Sequence, residues 1–177
     1  MGRDFFTLTL LSDGRVLAAA GQNKGKFLQE SEIYDSATGV WTVTGSLGLG
    51  RREHTATLLP DGRVLVAGGL DGRRATTSAE LYDPSTGLWT ATAPLPAPRE
   101  GHCATLLDGT VVLTGDMSTN APNTWDLYDI ATATWTAGRV NGYHSSSTAT
   151  LLNDDTILVA GSSSKRRASS EIGMQTP

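Results

Sequence analysis

The chain holds one cysteine, Cys103, in 177 residues, so neither an intrachain disulfide nor a cysteine-rich metal centre is available to it. Only three residues are phenylalanine, and no apolar run approaches the roughly 20 residues needed to cross a bilayer. A formal charge of −4 names no partner by itself. Near the N-terminus Arg3, "FFTLTLL" and Ala18–Ala20 imitate a secretory leader, but "SDGR" interrupts the apolar stretch and no signal peptide is read there. A Ser-His-Asp pattern, a phosphate-cradling glycine loop and a dinucleotide fingerprint are also missing. What is abundant is glycine, at twenty residues, together with Thr, Ser and Val, a balance that favours strands and tight turns.

Internal repetition organises the chain. "SDGRVLAAAG" from Ser12 recurs as "PDGRVLVAGG" from Pro60, "LDGTVVLTGD" from Leu107 and "NDDTILVAGS" from Asn153. Val16, Val64, Val111 and Ile157 correspond, at successive spacings of 48, 47 and 46. A second series runs Tyr34, Tyr82 and Tyr128, each followed seven residues later by Trp41, Trp89 or Trp135. Such a period is the signature of a repeat architecture. In the second copy, strands are read at "HTATLL", "RVLVAG", "SAELYD" and "LWTAT". Pro-Asp-Gly links the first two, and "DPSTG" links the last two, with Asp83 accepting from the turn backbone and Gly87 releasing the chain. Each repeat is thus predicted to be a four-stranded antiparallel meander. Its two apolar faces require neighbours, which makes Tyr34, Trp41, Tyr82, Trp89, Tyr128 and Trp135 the expected packing residues between copies.

The pair Gly68-Gly69 after an apolar strand, followed by Tyr82 and Trp89, resembles the kelch repeat. That resemblance implies an all-β propeller of four-stranded blades, with Gly68 and Gly69 among its packing residues. The whole chain, 1–177, is read as kelch propeller, with blades at about 4–48, 49–96 and 97–140 and a partial one at 141–177. In the partial blade, Gly173 stands where the tyrosine belongs. Three and a half blades leave a ring open, so the missing blades are expected either from the rest of a longer chain, the preferred reading, or from self-association.

Strand parity sorts the charges. The loops after strands two and four share a face that receives Arg3, Lys24, Lys26, Arg51, Arg52, Arg73, Arg74, Arg99, Arg139, Lys165, Arg166 and Arg167, twelve of fourteen basic residues. The other face carries the turn aspartates. A basic, variable loop face is expected to bind an anionic partner, either an acidic glycan or an acidic protein surface, chiefly through Arg73, Arg74, Lys165, Arg166, Arg167, Lys24 and Lys26. The repeating Arg51 and Arg99 instead suit a structural role, fixing neighbouring carbonyls and carboxylates. Nucleic acid is not expected, since no helix or exposed aromatic series accompanies the cations.

An enzymatic alternative rests on "GYHSSSTATLLNDDTILVAGS", which resembles a segment of the galactose oxidase and glyoxal oxidase-like copper enzymes. The resemblance implies Tyr143 and His144 as copper ligands and Cys103 as the cysteine of a Cys–Tyr cross-link, for which Tyr143 is the alternative partner; no compartment is read from the sequence, an extracellular or cell-surface setting being preferred. His54 and His102 occupy one register in successive repeats, which is also ordinary kelch wording. The primary reading is a binding module without cofactor.

Overall fold

The structure, a computed structural model, describes residues 2–72, 74–115, 124–139, 148–154 and 156–160, and the backbone of 169–172. Every element among them is a strand. The first blade is a sheet of β1 (Thr7–Leu10), β2 (Val16–Ala19), β5 (Ser31–Asp35) and β6 (Val40–Val43), with a ribbon of β3 (Gln22–Asn23) and β4 (Lys26–Phe27) between its second and third strands. The second repeats this with β7 (Thr55–Leu58), β8 (Val64–Ala67), β11 (Ala79–Asp83) and β12 (Leu88–Ala91), its ribbon being β9 (Leu70–Asp71) and β10 (Arg74–Ala75). The third comprises β13 (Cys103–Leu107), β14 (Thr110–Thr114), β15 (Thr124–Asp129) and β16 (Thr134–Arg139). A final three-stranded sheet holds β17 (Thr148–Leu151), β18 (Ile157–Ala160) and β19 (Ser169–Ile172). All pairings are antiparallel, and β1, β7, β13 and β17 lie side by side as the inner strands.

Local chemistry explains the meander. The Asp-Gly turns place Gly14, Gly62 and Gly109 at φ of 86°, 87° and 74°, where only glycine is unstrained. In the first two, the aspartate also clips the arginine two residues on: Asp13 accepts from the Arg15 backbone and guanidinium, and Asp61 does the same for Arg63. In the outer turn Asp83 accepts from Ser85 N–H at 2.8 Å, and Gly87, at φ 71°, donates to the Asp83 carbonyl. Strands therefore start and stop where turn residues, rather than strand propensity, dictate.

The blades are joined by apolar seams. Leu17, Ala19 and Ile33 of the first blade meet Val64, Val66 and Tyr82 of the second, while Leu65, Ala67 and Leu81 meet Val111, Leu113 and Tyr128 of the third. Each fully buried aliphatic side chain contributes about 1.5–3 kcal/mol. The polar contacts are smaller, at about 1 kcal/mol each, but fix the register. Tyr82 shares a hydroxyl hydrogen bond with Thr44 (2.7 Å), and Trp89 donates to the Gly45 carbonyl (3.2 Å). One repeat later, Tyr128 pairs with Thr92 (2.9 Å) and Trp135 donates to Ala93 (2.8 Å). The Tyr82–Trp89 and Tyr128–Trp135 pairs therefore grip the end of the preceding blade.

The third seam differs. Gly138 takes the register of Thr44 and Thr92, and a β-carbon there would run into the ring of Trp125. The tyrosine position, expected at Gly173, falls instead on Ile172, which the ladder sets opposite Ile157 as it sets Tyr34, Tyr82 and Tyr128 opposite Val16, Val64 and Val111; Gly173 itself lies outside the described residues. The register thus replaces both partners of the hydroxyl bond together, threonine by Gly138 and tyrosine by Ile172, while an indole covers Gly138.

Candidate functional site

The loop after the second strand builds the face that was expected to bind. In the first blade Gln22 pairs with Phe27 and Asn23 with Lys26, and Lys24 and Gly25 take positive φ at the tip. In the second, Asp71 pairs with Arg74 and Leu70 with Ala75. Both ribbons are tied to the lead-in of their own blade by reciprocal backbone bonds, Asp4 with Gln22 (both 2.8 Å) and Arg52 with Leu70 (3.1 and 2.7 Å). Arg52 braces the assembly further. Its guanidinium lies 5.2 Å from the Phe5 ring centroid and 5.6 Å from that of Phe27, donates to Gln22 Oε1 at 2.9 Å and pairs with Glu53.

On these supports Lys24, Lys26 and Arg74 are exposed, and none of the three enters an ion pair among the described residues. Between the ribbons opens a cleft of about 410 Å³ whose walls include Lys26, Phe27, Glu30 and Asp71. The other expected ligand residues, Arg73, Lys165, Arg166 and Arg167, lie outside the described residues.

Three of the twelve arginines and lysines counted onto this face turn inward, which corrects the polarity inferred from counting. Arg51 is fully buried, donates to the Gly68 and Ser78 carbonyls (3.0 and 2.8 Å) and pairs with Glu80 at 2.6 Å. Burial draws its guanidinium below the usual pKa, and Glu80 opposes that shift. Arg99, equally buried, donates to Gly115 and Thr124 and pairs with Asp126 at 2.6 Å. Arg3 repeats the pattern with Ala20, Glu30 and Glu32. The structural reading given to Arg51 and Arg99 describes these sites. Their acidic partners, on the third strand of the same blade, had no signal in the sequence beyond one carboxylate per repeat.

Gly68 and Gly69 sit at φ 60° and 102°, beneath the next blade's lead-in and their own. The neighbours explain both. A β-carbon on Gly68 would lie 2.7 Å from the Arg99 carbonyl and 2.8 Å from His102 Cε1; on Gly69 it would lie 2.6 Å from the Arg52 carbonyl.

His54 and His102 are buried at the inner rim, where Nε2 of each meets the hydroxyl of Thr7 or Thr55 on the preceding blade (3.0 Å in both). Cys103 opens β13 in the register that Thr7 and Thr55 hold in β1 and β7. Among the described residues no three His, Cys, Asp or Glu side chains converge as metal ligands. Tyr143 and His144 lie outside the described residues, so the copper ligands implied by resemblance have no geometry here. The Tyr82 and Tyr128 hydroxyls are engaged by threonines. No helix among the described residues is long and apolar enough to cross a membrane.

Residues 51–96 match the family model of the kelch motif. No match is found among the curated proteins. The solved structure of YjhT superposes with a TM-score of 0.75 at 16% identity, covering 89% of this chain and 58% of that one. The likeness at this identity is one of fold, and the chain spans 58% of the length of that structure.

Proposed function

Because the chain is a kelch-repeat β-propeller, we propose that it is an interaction module whose ribbon face takes an anionic partner, an acidic glycan or an acidic protein surface. One observation carries this: Lys24, Lys26 and Arg74 project, unpaired, from two adjacent ribbons that are braced to the blades beneath them. Braced loops lose little entropy on binding, so their charges act in full. By sequence, Arg73 belongs to the second of these loops, and Lys165, Arg166 and Arg167 to the corresponding loop of the fourth repeat. Titration calorimetry with a sulfated polysaccharide and with an acidic polypeptide is the test. Reversing Lys24, Lys26 and Arg74 to glutamate is expected to weaken binding about ten- to hundredfold at low salt, and added salt to weaken the parent similarly. Unchanged affinity in the triple variant overturns the reading.

A second contact is supported by the first blade. Tyr34 and Trp41 stack at 5.0 Å and 41°, much as Tyr82 and Trp89 do at 5.0 Å and 46°, yet Trp41 is 47% exposed. Leu8, Leu10 and Val43 are exposed beside it, where the second blade packs Ala56 and Leu58 against its neighbour. Another blade is the matching cover, from a longer chain or a second copy. For the 177-residue chain alone, sedimentation should show association at micromolar concentration that Trp41→Glu abolishes. A monodisperse, concentration-independent monomer removes this contact.

A further inference from the structure

The two rim histidines lie in surroundings unusual for so titratable a side chain. His54 and His102 are 6% and 7% exposed and sit one repeat apart, and each bridges to a different blade. Nε2 has a threonine hydroxyl at 3.0 Å, whereas Nδ1 of both rings is buried with no hydrogen-bond partner among the described residues. A neutral imidazole tolerates this arrangement, with one nitrogen protonated and one bare. An imidazolium has two N–H groups to satisfy, and one of them would be an orphan donor carrying positive charge.

We propose that the inner rim is an acid-sensitive latch: His54 and His102 hold successive blades together only as neutral imidazoles, and protonating them frees the blades along their inner seams. The charged groups acting on the neutral rings are cations, Arg51 on His54 and Arg99 on His102, and a proton on His54 adds to the charge that His102 meets. The carboxylates of the same layer do not offset them. Glu80 and Asp126 are bonded to Arg51 and Arg99, and Glu53 is paired with Arg52; Glu100, two residues before His102, also has an interaction of its own. The inner strands β1, β7 and β13 bring only Thr, Ala, Leu and Cys103 to this layer. Glycine at 68 and 69 lets the His102 ring, the His54 β-carbon and the two lead-ins lie directly against the backbone that follows β8.

Burial, reinforced by Arg51, pushes His54 down from 6.5 to about 3, and burial with Arg99 and His54 does the same to His102. The sign follows. Between those values the unfolded chain binds protons that the folded chain refuses, so the contribution is complete above about pH 6.5 and is lost as pH falls toward 3. At about pH 4.5 each histidine lowers the folding constant roughly a hundredfold.

The experiment compares hydrogen exchange and urea midpoints of the parent and of His54→Gln/His102→Gln across this range. Glutamine keeps a polar partner for the threonines and does not titrate. Exchange, corrected for the intrinsic rate, is expected to rise first in β1, β7 and β13 while β6 and β12 stay protected, and the variant's midpoint should fall far less with acid. Parallel pH curves, or exchange that rises uniformly across inner and outer strands, overturn the latch. Should the double variant fail to fold, imidazole C–H resonances of the parent decide: they are expected to keep the neutral-ring shift at pH 5, and titration of both near 6.5 in the folded chain overturns the proposal.

Discussion

Replacing Arg99 with methionine is expected to remove about 3–5 kcal/mol of stability, most of the margin of a domain whose total is about 5–15 kcal/mol. The side chain and its partner Asp126 are 0% and 1% exposed, so the substitution strands a carboxylate with no access to water. It also removes the guanidinium that donates to the carbonyls of Gly115 and Thr124. Exposure sets the order among the repeats. Arg51–Glu80, at 0% and 6%, should follow closely, and Arg3–Glu32, at 4% and 14%, should cost least because water reaches the Glu32 carboxylate. Removing both charges is a different perturbation. Arg99→Met with Asp126→Leu is expected to recover most of the loss, since an apolar pair of similar volume needs no desolvation of charge. Guanidinium denaturation of the four variants measures this directly. A loss below about 1 kcal/mol for Arg99→Met, or no recovery in the double variant, contradicts the account.

These arginines also show where the sequence was legible. Their recurrence one repeat apart was visible as a pattern, and recurrence favoured a structural role. The charge count on the loop face nevertheless included Arg3, Arg51 and Arg99, because parity assigns a residue to a face without revealing that its side chain folds inward to third-strand carboxylates. The blades, the Asp-Gly turns and the Tyr–Trp pairs were legible because each rests on local chemistry repeated at one period. The short ribbons β3–β4 and β9–β10 were not, since two-residue strands in polar, glycine-rich text carry no alternation to read. His54 and His102 shared a visible register, but a threonine 47 residues away as the partner of each follows only from blades packing side by side.

The glycine pair yields the second large effect, and here two opposite signs are expected from one register. Gly69→Ala forces a side chain onto backbone at φ 102° and places a β-carbon 2.6 Å from the Arg52 carbonyl, an atom that moves only if the lead-in of the second blade moves. Conformational strain of about 1–3 kcal/mol and overpacking of a similar size put the cost at roughly 2–5 kcal/mol. Gly68→Ala meets the Arg99 carbonyl at 2.7 Å and His102 Cε1 at 2.8 Å, and should therefore also loosen the rim of the third blade. In the first blade, by contrast, the register of Gly68 is held by Ala20, already at φ 55° and fully buried. That alanine bears the left-handed strain in the native protein, so Ala20→Gly is expected to stabilise by up to about 1 kcal/mol, reduced by the extra freedom glycine gives the unfolded chain. Thermal melts of the three single variants read both signs in one experiment. If Gly69→Ala melts with the parent, close backbone approach does not explain the glycine pair; if Ala20→Gly melts well below it, the β-carbon of Ala20 supports the first seam more than its backbone strains it.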